Sequence, residues 1–199
     1  MPSTAGIGRL RQSAVRRPRP PRPRFPARTL HVVDIENLAG AAIPSLGQVT
    51  EVQGLYVARL AFGADDQVVM AANHLALLNA ALGWPHARYR VRSGPHGADL
   101  ELLDVLLHEN VAARFTNVVI GSGDGVFGQA AASLVSRGVW VTVASRRDSL
   151  SAGLARAATD VVSLDVPRTA AACAAPPRCR RRPHGTDPSP APRAIVAGP

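Results

Sequence analysis

The sequence predicts an α/β protein, a three-layer α/β/α sandwich with a mainly parallel central sheet. Two observations carry this. Between residues 29 and 166 the apolar spacing switches regularly between a period of two and one of three to four, so strands alternate with helices. The connections are short, and strands that alternate with helices over short connections pair in parallel with helices on both faces. A third observation bounds the domain. Residues 1–28 hold eight Arg and no acid (+8), residues 29–166 nine Arg against thirteen acids (−4), and residues 167–199 six Arg and one acid (+5). Six prolines fall in the first segment, eight in the last and only Pro44, Pro85 and Pro95 between. An acidic folded domain between two disordered, basic, proline-rich tails is expected.

The elements follow in order. Leu30 to Ile35 (LHVVDI) is a short β-branched run and predicts a buried strand. Val49, Val52, Leu55, Tyr56, Arg59 and Leu60 fall at helical spacing and predict a helix ending near Gly63. Gln67 to Ala71 reads as a strand, and Leu75 to Leu82 as a helix closed by Gly83-Trp84-Pro85. Tyr89 and Val91 alternate with Arg88, Arg90 and Arg92, a strand with one polar face. Gly97 to Arg114 is the longest predicted helix, with Leu100, Leu103, Leu107 and Val111 on one stripe. Then come a strand at Asn117–Ile120, a helix at Phe127–Arg137 stopped by Gly138, a strand at Val139–Ala144, a helix at Leu150–Ala158 and a last strand at Val161–Leu164.

Composition excludes several classes. Of the 199 residues 46% are hydrophobic but only 4% aromatic, so the core is built from Val, Leu, Ala and Ile. No apolar run approaches the roughly 18 residues of a membrane span, and no apolar h-region follows the basic N-terminus. Cys173 and Cys179 lie in a Pro/Arg-rich stretch, which argues against a disulfide framework or a cysteine zinc site; a cytoplasmic location is expected. The tail arginines, from Arg16 to Arg24 and at Arg178 and Arg180–Arg182, could hold phosphates by counterion release. With lysine absent from the chain, arginine richness also fits plain compositional bias.

Ligands of open α/β sheets collect outside the carboxyl ends of the strands. This chain places Asp34-Ile35-Glu36-Asn37 after its first strand, Gly121-Ser122-Gly123-Asp124-Gly125 at 121–125 and Ser145-Arg146-Arg147-Asp148 after the fifth strand. Asp99 opens the long helix, where a carboxylate is electrostatically favoured. Asp34, Asp99 and Asp124 are thus expected on one rim, with Asn37 beside them. Crowded carboxylates repel unless a cation holds them, and oxygen-only ligation suits Mg²⁺ or Mn²⁺. The plainer readings are a turn cap for Asp34, a helix-start acid for Asp99 and a turn residue for Asp124. Asp104 falls on the predicted apolar stripe, so it needs a partner; a supporting role behind the ligands is expected of it. Arg92, Arg146 and Arg147 stand near strand ends, where they and Ser122 are candidates for substrate phosphates. The glycines at 121, 123, 125 and 128 miss a dinucleotide fingerprint, because Val126 occupies the third glycine position.

Val33-Asp34-Ile35-Glu36-Asn37-Leu38, Gly97-Ala98-Asp99-Leu100 with Asp104, and Gly121-Ser122-Gly123-Asp124-Gly125-Val126-Phe127 resemble the NYN domain of the PIN-like nuclease superfamily. The closing stretch, from Gly138 through Ser145, Leu150, Leu154 and Ala158 to Asp160, matches as well, so the resemblance covers about residues 29–165. It implies an α/β/α fold and a Mg²⁺- or Mn²⁺-dependent ribonuclease, with Asp34, Asp99 and Asp124 as the acidic cluster and Asn37 assisting. Many members carry a second acid where this chain has Val126, which is expected to be a packing residue. Two other classes stay open: a catalytically weak RNA-binding module using its arginines, and a small-molecule phosphohydrolase or nucleotide-binding protein.

Overall fold

The computed structural model describes residues 28–165; the predicted tails, apart from Arg28, lie outside the described residues. One sheet contains β1 (Thr29–Asp34), β2 (Gln67–Ala72), β3 (Arg88–Val91), β4 (Asn117–Gly121), β5 (Trp140–Ser145) and β6 (Asp160–Ser163). The strand order is β3-β2-β1-β4-β5-β6 and every pairing is parallel. The chain builds outward from β1 to one edge, then returns to start β4 on the other side of β1. That reversal makes the gap between β1 and β4 the switch point where strand ends diverge.

Helices α1 (Ile35–Ala39), α2 (Leu46–Arg59), α3 (Leu77–Gly83), α4 (Gly97–His108), α5 (Val111–Arg114), α6 (Gly128–Ser136) and α7 (Ala152–Ala157) cover the sheet. Alternation along β1 shows why two layers are needed. Leu30 and Val32 enter one core with Leu102 and Val105 of α4, Leu134 of α6 and Leu154 of α7. Val33 enters the other with Val49 and Tyr56 of α2 and Ala80 of α3. Both sheet faces are buried, as near-continuous apolar strands require. The α/β/α sandwich is therefore the observed fold. Among the described residues no helix is long and apolar enough to cross a membrane.

Two elements depart from the sequence reading. A short helix, α1, follows β1 directly because the Asp34 side chain caps it. The helix predicted over 97–114 is broken: Asn110 sits at φ 54°, a left-handed conformation that asparagine tolerates, and separates α4 from α5.

The stripe on α4 also differs. Ala98, Asp99, Leu102, Val105 and Leu106 are buried, whereas Leu100 and Leu107 are 44% and 53% exposed. Leucines occur on several sides of this helix, so periodicity supports more than one stripe, and packing selected the one containing Asp99. Its polar side faces the edge strand: Arg90 pairs with Glu101 at 2.7 Å and Asp104 at 2.6 Å, and Arg88 with Glu109 at 2.6 Å. Asp104 thus ties α4 to β3, with His108 at 2.9 Å on its other oxygen, and does not stand behind the acidic cluster.

Near the amino end of β1, His31 is buried, stacked on Phe62 with ring centroids 4.2 Å apart and 3.2 Å from the Tyr56 hydroxyl through Nδ1. Asp66 lies 3.6 Å from its Nε2 and accepts hydrogen bonds from the backbone N–H groups of Thr29 (2.8 Å) and Gly63 (2.7 Å).

Candidate functional site

The carboxyl ends of β1, β2 and β3, the starts of the elements after them and Asp124 of the loop after β4 enclose an open cleft of about 480 Å³. Asp34, Glu36, Asn37, Asn73, Leu75, Arg92, Ser93, His96, Asp99 and Asp124 line it. All three predicted acids, with Asn37 and Arg92, are therefore brought together.

Asp34 ends β1 and is buried; one carboxylate oxygen accepts the Asn37 N–H at 3.1 Å and the other the Ser122 hydroxyl at 3.3 Å. Burial pushes its pKa up to about 7; the charges of Asp99 and Glu36 push the same way, against the Asn37 and Ser122 hydrogen bonds. Asp99 is buried because it shares a helix face with Leu102 and Leu106. Burial raises its pKa above the usual range and the Asp124 charge adds to this, while hydrogen bonding with His96 (Nδ1 at 3.2 Å) and Asp34 opposes. Asp124 caps a 3₁₀ turn over Gly125–Phe127, its carboxylate accepting the Val126 N–H at 3.0 Å. Among the described residues, no group of three or more His, Cys, Asp or Glu side chains is arranged to hold a metal ion.

Asn37 and Ser122 join the two loops of the switch point. The Asn37 side-chain oxygen accepts the Gly123 N–H at 2.9 Å, and the Ser122 hydroxyl oxygen accepts the Asp124 N–H at 3.2 Å. Ser122 is fully buried, so it positions the carboxylates and does not meet a ligand as predicted. At Gly123 a Cβ would overlap the Ser149 carbonyl oxygen and stand 2.5 Å from the Ser145 hydroxyl. This glycine lets the 122–124 loop close against the loop after β5.

The predicted arginines divide. Arg92 lines the cleft and is only loosely opposed by Glu101 at 3.9 Å. Arg146 packs against Gly40 and pairs with Asp148 at 3.3 Å, and Arg147 pairs with Asp165 at 3.3 Å; neither lines the cleft. Val126 is 42% exposed, so it is not the packing residue expected.

Glu36, Asn73, Leu75 and Ser93 are cleft residues to which the sequence assigned no site role. The Glu36 carboxylate accepts the Asn73 N–H at 2.6 Å, and the Asn73 side-chain oxygen in turn accepts the Leu75 and Ala76 N–H groups at 2.8 and 2.9 Å. Their signal was position: Asn73 and Ser93 follow the carboxyl ends of β2 and β3 as Asp34 ends β1. The helix start after β1, where a dinucleotide-binding sheet of this strand order holds pyrophosphate, is here capped by the Asp34 carboxylate, which repels an anion.

No family model and no curated protein sequence matches the chain. Among solved structures it is similar to a protein of unknown function from Vibrio parahaemolyticus, at 18% identity and a TM-score of 0.49, covering 70% of this chain and 93% of the other.

Proposed function

We propose that the protein is a Mg²⁺- or Mn²⁺-dependent ribonuclease that hydrolyses RNA phosphodiester bonds in the cleft at the β1/β4 switch point. The observation supporting this is that Asp34, Asp99 and Asp124, delivered by three separate elements, line one cleft. The donor set fits a hard cation: oxygen ligands dominate, and buried like-charged carboxylates are what a divalent ion relieves. Asp34, Asp99 and Asp124 would hold the ion, and since no group of three such side chains among the described residues is set to hold a metal, it would need water and substrate oxygens as further ligands. When bound, the cation polarises a phosphoryl oxygen and acidifies a water.

The remaining roles belong to the chain. Asn37 and Ser122 lock the Asp34 and Asp124 loops together, so that the carboxylates stay in register despite their repulsion. Arg92 offers a guanidinium to a phosphate on the β3 side, where its contact with Glu101 is weak enough to exchange. Hydrolysis joins water oxygen to phosphorus and breaks the bond to the 3′ oxygen, leaving a 5′-phosphate and a 3′-hydroxyl.

Cleavage of labelled single-stranded RNA by the full chain with Mn²⁺ tests this reading. Asp124→Asn should lower the rate by at least about 100-fold, the upper range for losing even an outer-shell partner of a metal. A second reading, an RNA-binding module that retains the fold, is favoured by the exposed Val126, which stands where the resembling family carries a further acid. RNA binding without cleavage by the wild-type chain selects that reading.

A further inference from the structure

Large apolar side chains are exposed together on one side of the molecule. On α3 and the turn that opens it, Leu75, Leu78 and Leu82 are 73%, 68% and 62% exposed, and Ile43 of the α1–α2 connection and Leu46 at the start of α2 are also exposed. The two segments adjoin: the Asn79 side-chain amide donates to the Pro44 carbonyl at 3.1 Å, and Gly83 packs against Leu46 and Val49. The opposite side of α3 is spent on the core through Ala80 and Gly83, so the leucines cannot turn inward. The turn carrying Leu75 is fixed by the Asn73 side chain, which gives the face a set shape before anything binds.

We propose that this face is the contact surface of a two-fold dimer of this chain. Three features select a second copy. First, spacing: Leu78 and Leu82 are four residues apart on one side of α3, and Leu75 in the turn before it extends their row, so that one row can pack on its like. Second, charge: a two-fold contact sets one patch against itself, so a patch carrying charge of one sign would meet its like. No Asp, Glu, Lys or Arg occurs between Asp66 and Arg88, or between Glu36 and Glu51, although the domain as a whole is acidic. The same lack of cations makes the face unsuited to RNA phosphates. Third, area: the five side chains expose on the order of 500 Å², the size of the largest, often functional, apolar patch of a monomer. Two such faces together bury roughly 1,000 Å², the lower bound of a biological interface. Leu75 also lines the cleft, so the contact reaches the cleft rim.

Sedimentation velocity of the full chain across the micromolar range tests this. It is run in about 1 M salt, where the Debye length is about 3 Å and bridging through nucleic acid is suppressed. The expected result is twice the monomer mass for the wild type and the monomer mass for the double variant Leu78→Asp with Leu82→Asp, a weakening of at least 100-fold. Both leucines are exposed in the single chain, so the far-UV circular dichroism should not change. Leu100→Asp with Leu107→Asp, on α4, should leave the dimer intact. A wild type that stays monomeric, a dimer that survives the α3 substitutions, or one dissociated equally by the α4 pair overturns the proposal. None of these outcomes depends on nuclease activity.

Discussion

At the amino end of β1, Asp66 has a backbone N–H on each carboxylate oxygen, from Thr29 and Gly63, and an imidazole beyond. At the carboxyl end, Asp34 has one backbone N–H, one hydroxyl, and the carboxylates of Asp99 and Glu36 as electrostatic neighbours. Both groups are buried, but only the first is enclosed by donors. A buried carboxylate ringed by N–H groups holds a loop in place. One whose neighbours are further acids is costly to ionise, and a bound cation would reverse that cost.

The largest effect that separates the two ends is expected at Asp34. Its native pKa of about 7 lies above the ordinary aspartate value of 3.8, so the folded chain keeps a proton that the unfolded chain releases. The metal-free protein should therefore lose stability as pH rises from about 4 to about 7, by up to about 4 kcal/mol over the whole window. Asp34→Asn removes that loss, so its urea midpoint should exceed that of the metal-free wild type above about pH 8 and match it below about pH 4. Matching midpoints at the higher pH would break the comparison at this end.

Asp66→Ala should act in the opposite sense, costing about 1–2 kcal/mol in urea unfolding, because it leaves the part-buried Thr29 N–H without its acceptor, while water replaces Asp66 at the exposed Gly63 N–H. Burial lowers the His31 pKa while Asp66 raises it, so this end contributes stability above pH 6.5 that is lost as pH falls through the native pKa. In the variant that acid loss should start at the same pH, set by the unfolded chain, but run on to lower pH and grow larger, since His31 has lost the group that favours its protonation. A stability change under about 0.5 kcal/mol would show that the carboxylate does not hold the loop.

Glycine substitutions sharpen the contrast between the rim and the surface. Gly123→Ala, which drives a methyl into the Ser149 carbonyl, should cost about 2 kcal/mol and reduce RNA cleavage, since Asp124 is the next residue. Gly54→Ala, in α2 with nothing within 4 Å of the added carbon, should stabilise by about 0.5–1 kcal/mol. Thermal melts of the two variants moving in the same direction would contradict the packing described. The smallest effect is expected at exposed Val126: Val126→Asp should change stability by less than about 0.5 kcal/mol, and calorimetric Mn²⁺ titration should show whether the added carboxylate faces the cation.

Much of the fold was legible because apolar strands alternating with helices leave few topologies. Each of the six strands lies within one or two residues of its predicted place. The helices that misled did so for identifiable reasons. Asn110 breaks the long helix through a left-handed residue that periodicity does not register, and α1 depends on a cap from Asp34, which both ends β1 and opens the helix. On α4, leucines on several sides concealed the buried face, so Asp104 was placed towards the site and is instead held by Arg90.

The sequence by itself determined the strand–helix alternation, hence a parallel sheet with covered faces, and the arrival of Asp34, Asn37 and Asp124 at strand ends. These follow from side-chain periodicity and from turn residues, which are local properties. Only the tertiary structure decided which acids share an environment, that Ser122 and Asn37 serve as braces between loops, and that Arg92 faces the cleft while Arg146 and Arg147 face Asp148 and Asp165. Those outcomes depend on the order in which strands pair and on the rotation of α4 about its axis. Both are set by contacts between residues far apart in the chain, for which one-dimensional spacing carries no signal.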